Sequence, residues 1–239
     1  MRRQDGWVSR LAWDHNEYYH RLLLRQLPAR PQRVLDVGCG AGLLAGKLAA
    51  RADRVDAVDR DAGMVAAAAR AVPANVSCRC ADFLLDDVPI GAYDAVVSVS
   101  ALHHMPLEPA LSRMAEALRP GGVLAAVALP RVDLPRELPV ELAAAVAQRG
   151  LAVTFGIGRA VHGGGCHAHE PDSDAMPMVD PVLTTDEVRR QAQAVLPGAQ
   201  VRRLLFWRYL LRWRKPLGDG QASSTTATES AGTSSTSPS

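Results

Sequence analysis

The sequence VLDVGCGAG, residues 34–42, decides the fold of this protein. An apolar run with one acid leads into glycines at positions 38, 40 and 42, and an apolar helical pattern follows. Glycine loses more backbone entropy on folding than any other residue, so glycines this close together indicate unusual backbone or a close approach. A strand that turns through glycines into a helix offers free N–H groups and a positive dipole end. The pattern therefore predicts a ligand site at the carboxyl end of this strand.

Strands alternate with helices on both sides of the glycines. The pattern predicts five strands, at 33–37, 54–59, 75–82, 93–100 and 122–129. It predicts helices between them, at 41–51, 62–72 and 108–122. The run YDAVVSVS in the fourth strand is apolar on both faces and so predicts a strand buried on both sides. Alternating strands and helices indicate a parallel sheet with helices on both faces.

The two ends of the chain extend this unit. Apolar residues recur at helical spacing over 9–28, which predicts an amphipathic helix that Pro28 ends. Further helices are predicted at 136–150 and 184–198, and 199–215 is long enough for two strands that fold back near Trp207–Arg208. Residues 219–239 are rich in Ser, Thr and Gly and predict a disordered tail.

Composition excludes several classes of protein. The 239 residues are 48% hydrophobic and 22% charged, with a net charge of +2, which is typical of a globular protein. The first residues have no apolar signal core, and no run is apolar enough to span a bilayer. The four cysteines match neither a disulfide framework nor a paired zinc motif. We therefore expect a cytoplasmic protein without membrane contact.

The glycine spacing separates two kinds of nucleotide site. A dinucleotide fingerprint is G-x-G-x-x-G, and its third glycine would fall on Leu43. Asp59 ends the second strand 19 residues after Gly40, where a carboxylate can accept from ribose hydroxyls. Sites for NAD and for other nucleosides share that acid, so the acid alone does not choose between them.

Five motifs follow one another in a familiar order. They are VLDVGCGAG, VDAVD, CADFLL, YDAVVSVSALHHM and LRPGGVL. Together they resemble the class I S-adenosylmethionine-dependent methyltransferases over residues 33–125. The resemblance implies an α/β fold: a Rossmann-like, seven-stranded, mostly parallel sheet with helices on both faces, an N-terminal helical lid and an antiparallel final strand. It divides the chain into a lid (1–32), a methyltransferase domain (33–218) and the tail.

The resemblance also implies roles for the residues that bind S-adenosyl-L-methionine. Gly38, Gly40 and Gly42 would let the methionine portion lie against the backbone, and Asp36 would order that loop. Asp59 would hold the ribose hydroxyls. The alternatives are a purely structural turn at the glycines, and an exchange of roles in which Asp59 caps a helix and Asp61 binds the ribose.

Further contacts are implied after the third and fourth strands. Asp82 would accept from the adenine amino group, or would merely cap a loop, and Phe83 would pack on the adenine ring. The carbonyl of Ser98 would face the methionine ammonium or the sulfonium. From the N-terminal helix, Tyr19 or His20 would reach the methionine carboxylate, or would only pack in the core.

His103 and His104 follow the fourth strand, where an acceptor would lie. One of them is a candidate catalytic base, since histidine titrates near neutral pH. Methyl transfer from a sulfonium depends mainly on in-line positioning, so shaping the pocket is the alternative role.

Two other clusters have residue types that bind metals or nucleic acids. The stretch HGGGCHAHE, 162–170, matches no standard zinc spacing, so we expect no metal and a mobile substrate loop within 155–181. The eight basic residues of 188–218 favour a soluble sheet edge over a nucleic-acid surface.

The sequence thus predicts an enzyme that transfers a methyl group to a small molecule, with oxygen favoured over nitrogen or carbon. The segment SVSALHH after the fourth strand lacks the Asn/Asp-Pro-Pro pattern of enzymes that grip amino groups of bases or glutamine. There are three alternatives. The first is a protein that keeps the cofactor as a scaffold for cyclisation or only binds it. The others are an RNA or protein methyltransferase and an NAD-dependent oxidoreductase.

Overall fold

The computed structural model describes residues 15–131, 181–204 and 207–217. Seven strands are present in these ranges: β1 (Arg33–Val37), β2 (Arg54–Asp59), β3 (Val76–Cys80), β4 (Tyr93–Val99), β5 (Leu118–Ala128), β6 (Gln200–Leu204) and β7 (Arg208–Arg214). The α-helices of the same ranges are α1 (His15–Leu24), α2 (Leu43–Ala49), α3 (Ala62–Ala71), α4 (Leu107–Ala117) and α5 (Thr185–Val195). A short 3-10 helix covers Leu102–His104.

The strands form one sheet in the order β3-β2-β1-β4-β5-β7-β6. Strands β1 to β5 pair in parallel, and β7 runs antiparallel to both β5 and β6. This confirms the predicted Rossmann-like, seven-stranded, mostly parallel sheet and its two C-terminal strands, whereas the N-terminal lid stays a prediction. The chain moves outward from β1 in one direction through β2 and β3, and then returns to place β4 on the other side of β1. The carboxyl ends of β1 and β4 therefore flank the switch point where such sheets bind ligands.

Helices cover both faces of the sheet. On one face, Tyr19 and Leu23 of α1 and Leu44 and Leu48 of α2 are buried in one apolar cluster. On the other, α4 and α5 pack in a second cluster with Phe83, and β4 is buried along almost its whole length, as predicted. The centre of the sheet, where the glycine turn begins, is thus buried on both faces.

Helix α5 begins with a capping box. The Thr184 side chain accepts from the backbone N–H of Glu187, and the Glu187 carboxylate accepts from the N–H of Thr184 at 2.8 Å. These reciprocal bonds satisfy two N–H groups that a helix start leaves without partners. They explain why the helix begins at this position in a polar sequence.

The structure corrects two predicted helix ends. Helix α4 ends at Ala117, whereas the prediction extended it to residue 122. The Pro-Gly-Gly sequence lies instead in an irregular start of β5, where the register with β4 jumps between Tyr93 and Ala95. A Cβ at Gly122 would lie 2.9 Å from the Arg119 carbonyl oxygen and 3.1 Å from that of Tyr93, so the irregular start of β5 beside β4 favours glycine there. Helix α1 ends at Leu24, four residues before the proline predicted to end it.

Several predicted features lie outside the described residues. They are the first part of the N-terminal helix, a helix at 136–150, the connection at 155–181 with its His/Gly-rich stretch, and the tail. Within the described ranges, no group of three or more His, Cys, Asp or Glu side chains is arranged to hold a metal ion. None of the helices described is long and apolar enough to cross a membrane.

Candidate cofactor and acceptor site

The glycine turn is held against the end of β2. The N–H groups of Gly38 and Cys39 donate to the Val58 carbonyl oxygen at 2.8 and 3.1 Å, and the N–H of Gly40 donates to the Asp59 carboxylate at 2.8 Å. Gly38, Gly40 and Gly42 all have positive φ, at 74°, 52° and 85°. Residues with a Cβ rarely adopt this left-handed backbone, so the turn requires glycine at each position.

Two of the three glycines are also needed by the protein's own packing. A Cβ on Gly38 would lie 2.1 Å from the Cβ of Ala101, in the segment after β4. A Cβ on Gly42 would lie 2.9 Å from the Cβ of Ala68 and 2.8 Å from Val72. Both glycines are therefore explained without a ligand, and their contact with the methionine portion stays a prediction.

Asp59 is the acid that organises the site. It is 8% exposed, and its two carboxylate oxygens accept from the N–H groups of Gly40 and Asp61. Asp61 is the N-cap of α3 and accepts from the N–H of Met64 at 2.9 Å. The alternative in which Asp59 caps the helix is therefore wrong, because the backbone turns into α3 only after residue 61. Each Asp59 oxygen keeps lone-pair capacity for a hydroxyl donor.

Asp36 is completely buried, and neither of its carboxylate oxygens has a hydrogen-bond partner among the described residues. Burial, and then the charge of Asp59, raise the pKa of Asp36 to about 7. The sequence predicted that this side chain orders the glycine turn. The turn's N–H groups go to Val58 and Asp59 instead, which leaves Asp36 as an acceptor still to be satisfied.

Replacing Asp36 by asparagine is expected to stabilise the ligand-free protein at pH 8. The pKa of Asp36 is higher in the folded protein than its unfolded value near 3.8, so the folded protein loses stability as pH rises from 3.8 to about 7. The thermal midpoint of Asp36→Asn should exceed that of the unmodified protein above pH 7, and the excess should shrink toward pH 4. Scanning calorimetry between these pH values measures it, and an excess independent of pH would contradict the raised pKa.

The two predicted adenine contacts have different surroundings. Asp82 is exposed, and its Oδ1 accepts from the N–H of Leu84 at 2.8 Å, as in a loop cap. This bond leaves the carboxylate facing solvent and able to accept again. Phe83 is 6% exposed and packs in the core cluster of α4, so little of its ring is open to a ligand.

The segment after β4 contains a residue that sequence reasoning missed. Ser100 has a φ of 53°, and its hydroxyl is buried without a hydrogen-bond partner among the described residues. Its N–H donates to the Val127 carbonyl oxygen, which fixes the next residue, Ala101, against Gly38. Ser98 is fully buried, and its hydroxyl donates to the Val37 carbonyl oxygen at 2.8 Å, so β4 and β1 are tied at the switch point. The only sequence signal for Ser100 was its position as the last residue of the predicted fourth strand.

His103 and His104 lie together on the 3-10 helix, with ring centroids 4.0 Å apart. Burial, and then the charges of His104 and Arg208, lower the pKa of His103 to about 4. Burial, and then Arg60, lower the pKa of His104. Both rings are therefore neutral at pH 7, and their Nδ1 atoms are buried without a hydrogen-bond partner in the described part of the chain.

Helix α1 brings two predicted residues into the interior. Tyr19 is fully buried and His20 is 4% exposed. The Nδ1 atom of His20 lies 3.1 Å from the Lys47 ammonium of α2, and the Arg208 guanidinium lies 5.9 Å from the Tyr19 ring centroid. Lys47 and Arg208 were not predicted as site residues, because their place beside α1 depends on tertiary packing.

The arrangement is that of a Rossmann-like domain with acids at the carboxyl ends of β1, β2 and β3. Residues 34–122 match the family described as Methyltransferase domain. An uncharacterized methyltransferase of Mycobacterium tuberculosis is 39% identical over 207 residues, which cover 86% of this chain and 98% of that protein. The chain belongs to the class I S-adenosylmethionine-dependent methyltransferases, and it is an enzyme of that family.

Solved structures with low sequence identity share the fold. The N-methyltransferase NodS from Bradyrhizobium japonicum, in complex with S-adenosylhomocysteine, has a TM-score of 0.56 and 17% identity over 87% of this chain and 96% of its own. The cyclase SpnF has a TM-score of 0.57 and 16% identity, covering 84% of this chain and 82% of its own. At these identities the likeness concerns the fold alone.

Proposed function

We propose that this enzyme binds S-adenosyl-L-methionine at the glycine turn and transfers its methyl group to an oxygen nucleophile of a small molecule. One observation carries the cofactor assignment. Acids lie at or near the carboxyl ends of three adjacent strands: Asp36 one residue before the end of β1, Asp59 at the end of β2 and Asp82 two residues after β3. Both oxygens of Asp36 are buried without a hydrogen-bond partner among the described residues. A buried acceptor without a donor is costly, and a ligand that brings donors or positive charge satisfies it.

The residues at this edge fit the parts of the cofactor. The remaining lone pairs of Asp59 accept from ribose hydroxyls, and the exposed oxygen of Asp82 accepts from an adenine amino group. Asp36 and the carbonyl of Ser98 supply negative potential for the ammonium or sulfonium, and Tyr19 or His20 supplies a polar group above them. Because Gly38, Gly40 and Gly42 have no side chains, the cofactor can lie directly against the backbone of the turn. When bound, the cofactor supplies an electrophilic methyl group.

The acceptor side of the site is formed by the segment after β4. His103 is neutral at pH 7, so its ring nitrogen can accept a proton from a hydroxyl, although the lowered pKa makes this ring a weaker base than an ordinary histidine. His103 lies in a small apolar cavity with Leu102, Met105, Leu129 and Tyr209 among its lining residues. This lining suits a small organic acceptor better than a nucleic acid. The free thiols of Cys39, Cys78 and Cys80 support the proposed cytoplasmic location.

Replacing His103 by glutamine is expected to lower turnover at least tenfold with little change in cofactor affinity, because a general base contributes about a hundredfold or more to proton transfer. His104→Gln is the matched control, since it keeps the neighbouring ring and should have the smaller effect. Single-turnover kinetics with a responding acceptor measures both variants. Equal rates for the two variants and the unmodified enzyme would assign both rings to pocket shape.

The cyclase SpnF shares this fold, so the fold alone does not separate methyl transfer from a second candidate, in which the cofactor is held as a scaffold and no methyl group is transferred. Release of S-adenosylhomocysteine in the presence of an acceptor separates the two. Stoichiometric release supports methyl transfer, whereas acceptor conversion without release supports the scaffold role.

Calorimetric titration with S-adenosylhomocysteine, with NAD as the control, tests the cofactor assignment. We expect binding in the micromolar range for the first ligand and none for the second. Binding of NAD alone would restore the oxidoreductase alternative, and binding of neither would make the glycine turn purely structural.

A further inference from the structure

Arg208 lies at the same edge of the sheet as the candidate site. It is the first residue of β7, and β7 runs antiparallel to β5, so its start lies beside the carboxyl ends of the parallel strands. It is close enough to His103 for its charge to lower the pKa of that ring. Strand β7 is two strands from β4 and three from β1. At about 4.8 Å per strand, Arg208 is about 10 Å from β4 and about 14 Å from β1, on the acceptor side.

The charge of Arg208 is not compensated within the described residues. Its only described ring contact is with Tyr19, and no carboxylate pairs with it in the described ranges. Its Nε atom is buried without a hydrogen-bond partner there. The side chain is half-buried, and this burial lowers the pKa of its guanidinium, while Tyr19 raises it by a smaller amount. A desolvated charge without a partner is destabilising, so a protein keeps one where a ligand completes it.

Charges at this edge are therefore separated. The acids Asp36, Asp59 and Asp82 lie at the ends of β1 to β3, and Arg208 lies beyond β4 and β5. A ligand with a positive sulfonium and neutral nucleoside fits the first group. Arg208 fits an anion instead, because a guanidinium presents a planar fork of donors that matches a carboxylate or phosphate.

We infer that the methyl acceptor carries an oxyanion, a carboxylate or a phosphate-type group, that Arg208 binds while His103 faces the rest of the molecule. The assignment of this anion to the methyl acceptor rests on the proposed function, whereas the anion site at Arg208 does not depend on it. A carboxylate is also present on the amino-acid end of the cofactor. The distance of β7 from β1 favours the acceptor as its source, and the experiment separates the two sources.

The test uses the full chain with Arg208→Met, which keeps an apolar stem against Tyr19 and removes the charge. Arg202→Met is the matched control, since Arg202 is an exposed arginine on the neighbouring strand β6. Because no carboxylate among the described residues pairs with the removed charge, the thermal midpoint of Arg208→Met should be unchanged or higher. Arg208→Lys keeps the charge without the planar fork, and it replaces the first variant if that one does not fold.

Benzoate, phenylphosphonate and the neutral benzamide are titrated calorimetrically, with and without saturating S-adenosylhomocysteine. We expect at least one anion to bind more tightly than benzamide and to lose at least tenfold in affinity in Arg208→Met. The anion affinity of Arg208→Lys should lie between those of Arg208→Met and the unmodified protein. The anion affinity of Arg202→Met should equal that of the unmodified protein, and the affinity for benzamide should be the same in every variant. Two results overturn the inference: no preference for either anion over benzamide, or equal anion affinity in Arg208→Met and the unmodified protein.

The source of the anion is decided by two further titrations, with S-adenosylhomocysteine and with 5′-methylthioadenosine, which lacks the amino-acid end. Unchanged affinity of Arg208→Met for both supports an anion on the acceptor. A tenfold loss for S-adenosylhomocysteine alone assigns the arginine to the cofactor carboxylate and overturns the acceptor assignment. Anion binding that persists when neither nucleoside binds would remove the proposed function and leave the anion site.

Discussion

Asp59→Ala is expected to weaken the binding of S-adenosylhomocysteine about a hundredfold, the largest effect on affinity of any single substitution at this site. Two charge-assisted hydrogen bonds to ribose are lost, each worth about 1.5–3 kcal/mol, and a loss of about 3 kcal/mol corresponds to a hundredfold. The N–H groups of Gly40 and Asp61 also lose their acceptor, which loosens the turn before the ligand arrives. Calorimetric titration measures the change in dissociation constant.

Asp61→Ala is the control for this experiment. It removes the N-cap of α3 and should cost about 1 kcal/mol of folding stability, because only one helix N–H loses its partner. Its affinity for S-adenosylhomocysteine should change little. The ribose role would belong to Asp61 if that variant lost affinity while Asp59→Ala kept it.

Gly38→Ala is expected to lower the free energy of unfolding by about 3 kcal/mol or more. The left-handed backbone costs about 1–2 kcal/mol once a Cβ is present, and the new Cβ would stand 2.1 Å from the Cβ of Ala101. Overpacking of this kind typically adds about 1–3 kcal/mol, since β1 and the segment after β4 must separate. The site would open at the switch point, so cofactor affinity should fall with stability. Denaturant unfolding gives the first quantity and calorimetry the second.

Two variants separate the clash from the backbone strain. Gly198→Ala has a similar φ of 84° but nothing within 4 Å of the new Cβ, so it reports the strain alone. The pair Gly38→Ala with Ala101→Gly removes the opposing Cβ and should recover the clash part of the loss. Because the two atoms are in contact, the double-mutant cycle should show a favourable coupling of about 1 kcal/mol or more. Additive effects would mean that Ala101 is not what requires a glycine at position 38.

Local patterns in the chain were enough to predict the main elements. Strand β4 is recognisable as buried on both faces because its run from Ala95 to Val99 contains only alanine, valine and one serine, and α5 is recognisable because its start carries a capping box. The positions of the acids at the strand ends also follow from the alternation, since a parallel sheet brings its carboxyl ends to one edge. The end of α4 was misplaced because Pro-Gly-Gly is also compatible with an irregular strand start next to Tyr93.

The sequence by itself determined the order of the elements, the glycine turn and the acids beside it, because these depend on neighbours a few residues apart. Tertiary structure alone decided which atoms fill the space above the glycines, since Ala101 and Ala68 reach Gly38 and Gly42 from distant segments. It alone left Asp36 buried without a hydrogen-bond partner among the described residues and brought Arg208 of β7 to Tyr19 of α1. Burial and long-range contacts set the energy of a charge, and neither is written in the residues next to it.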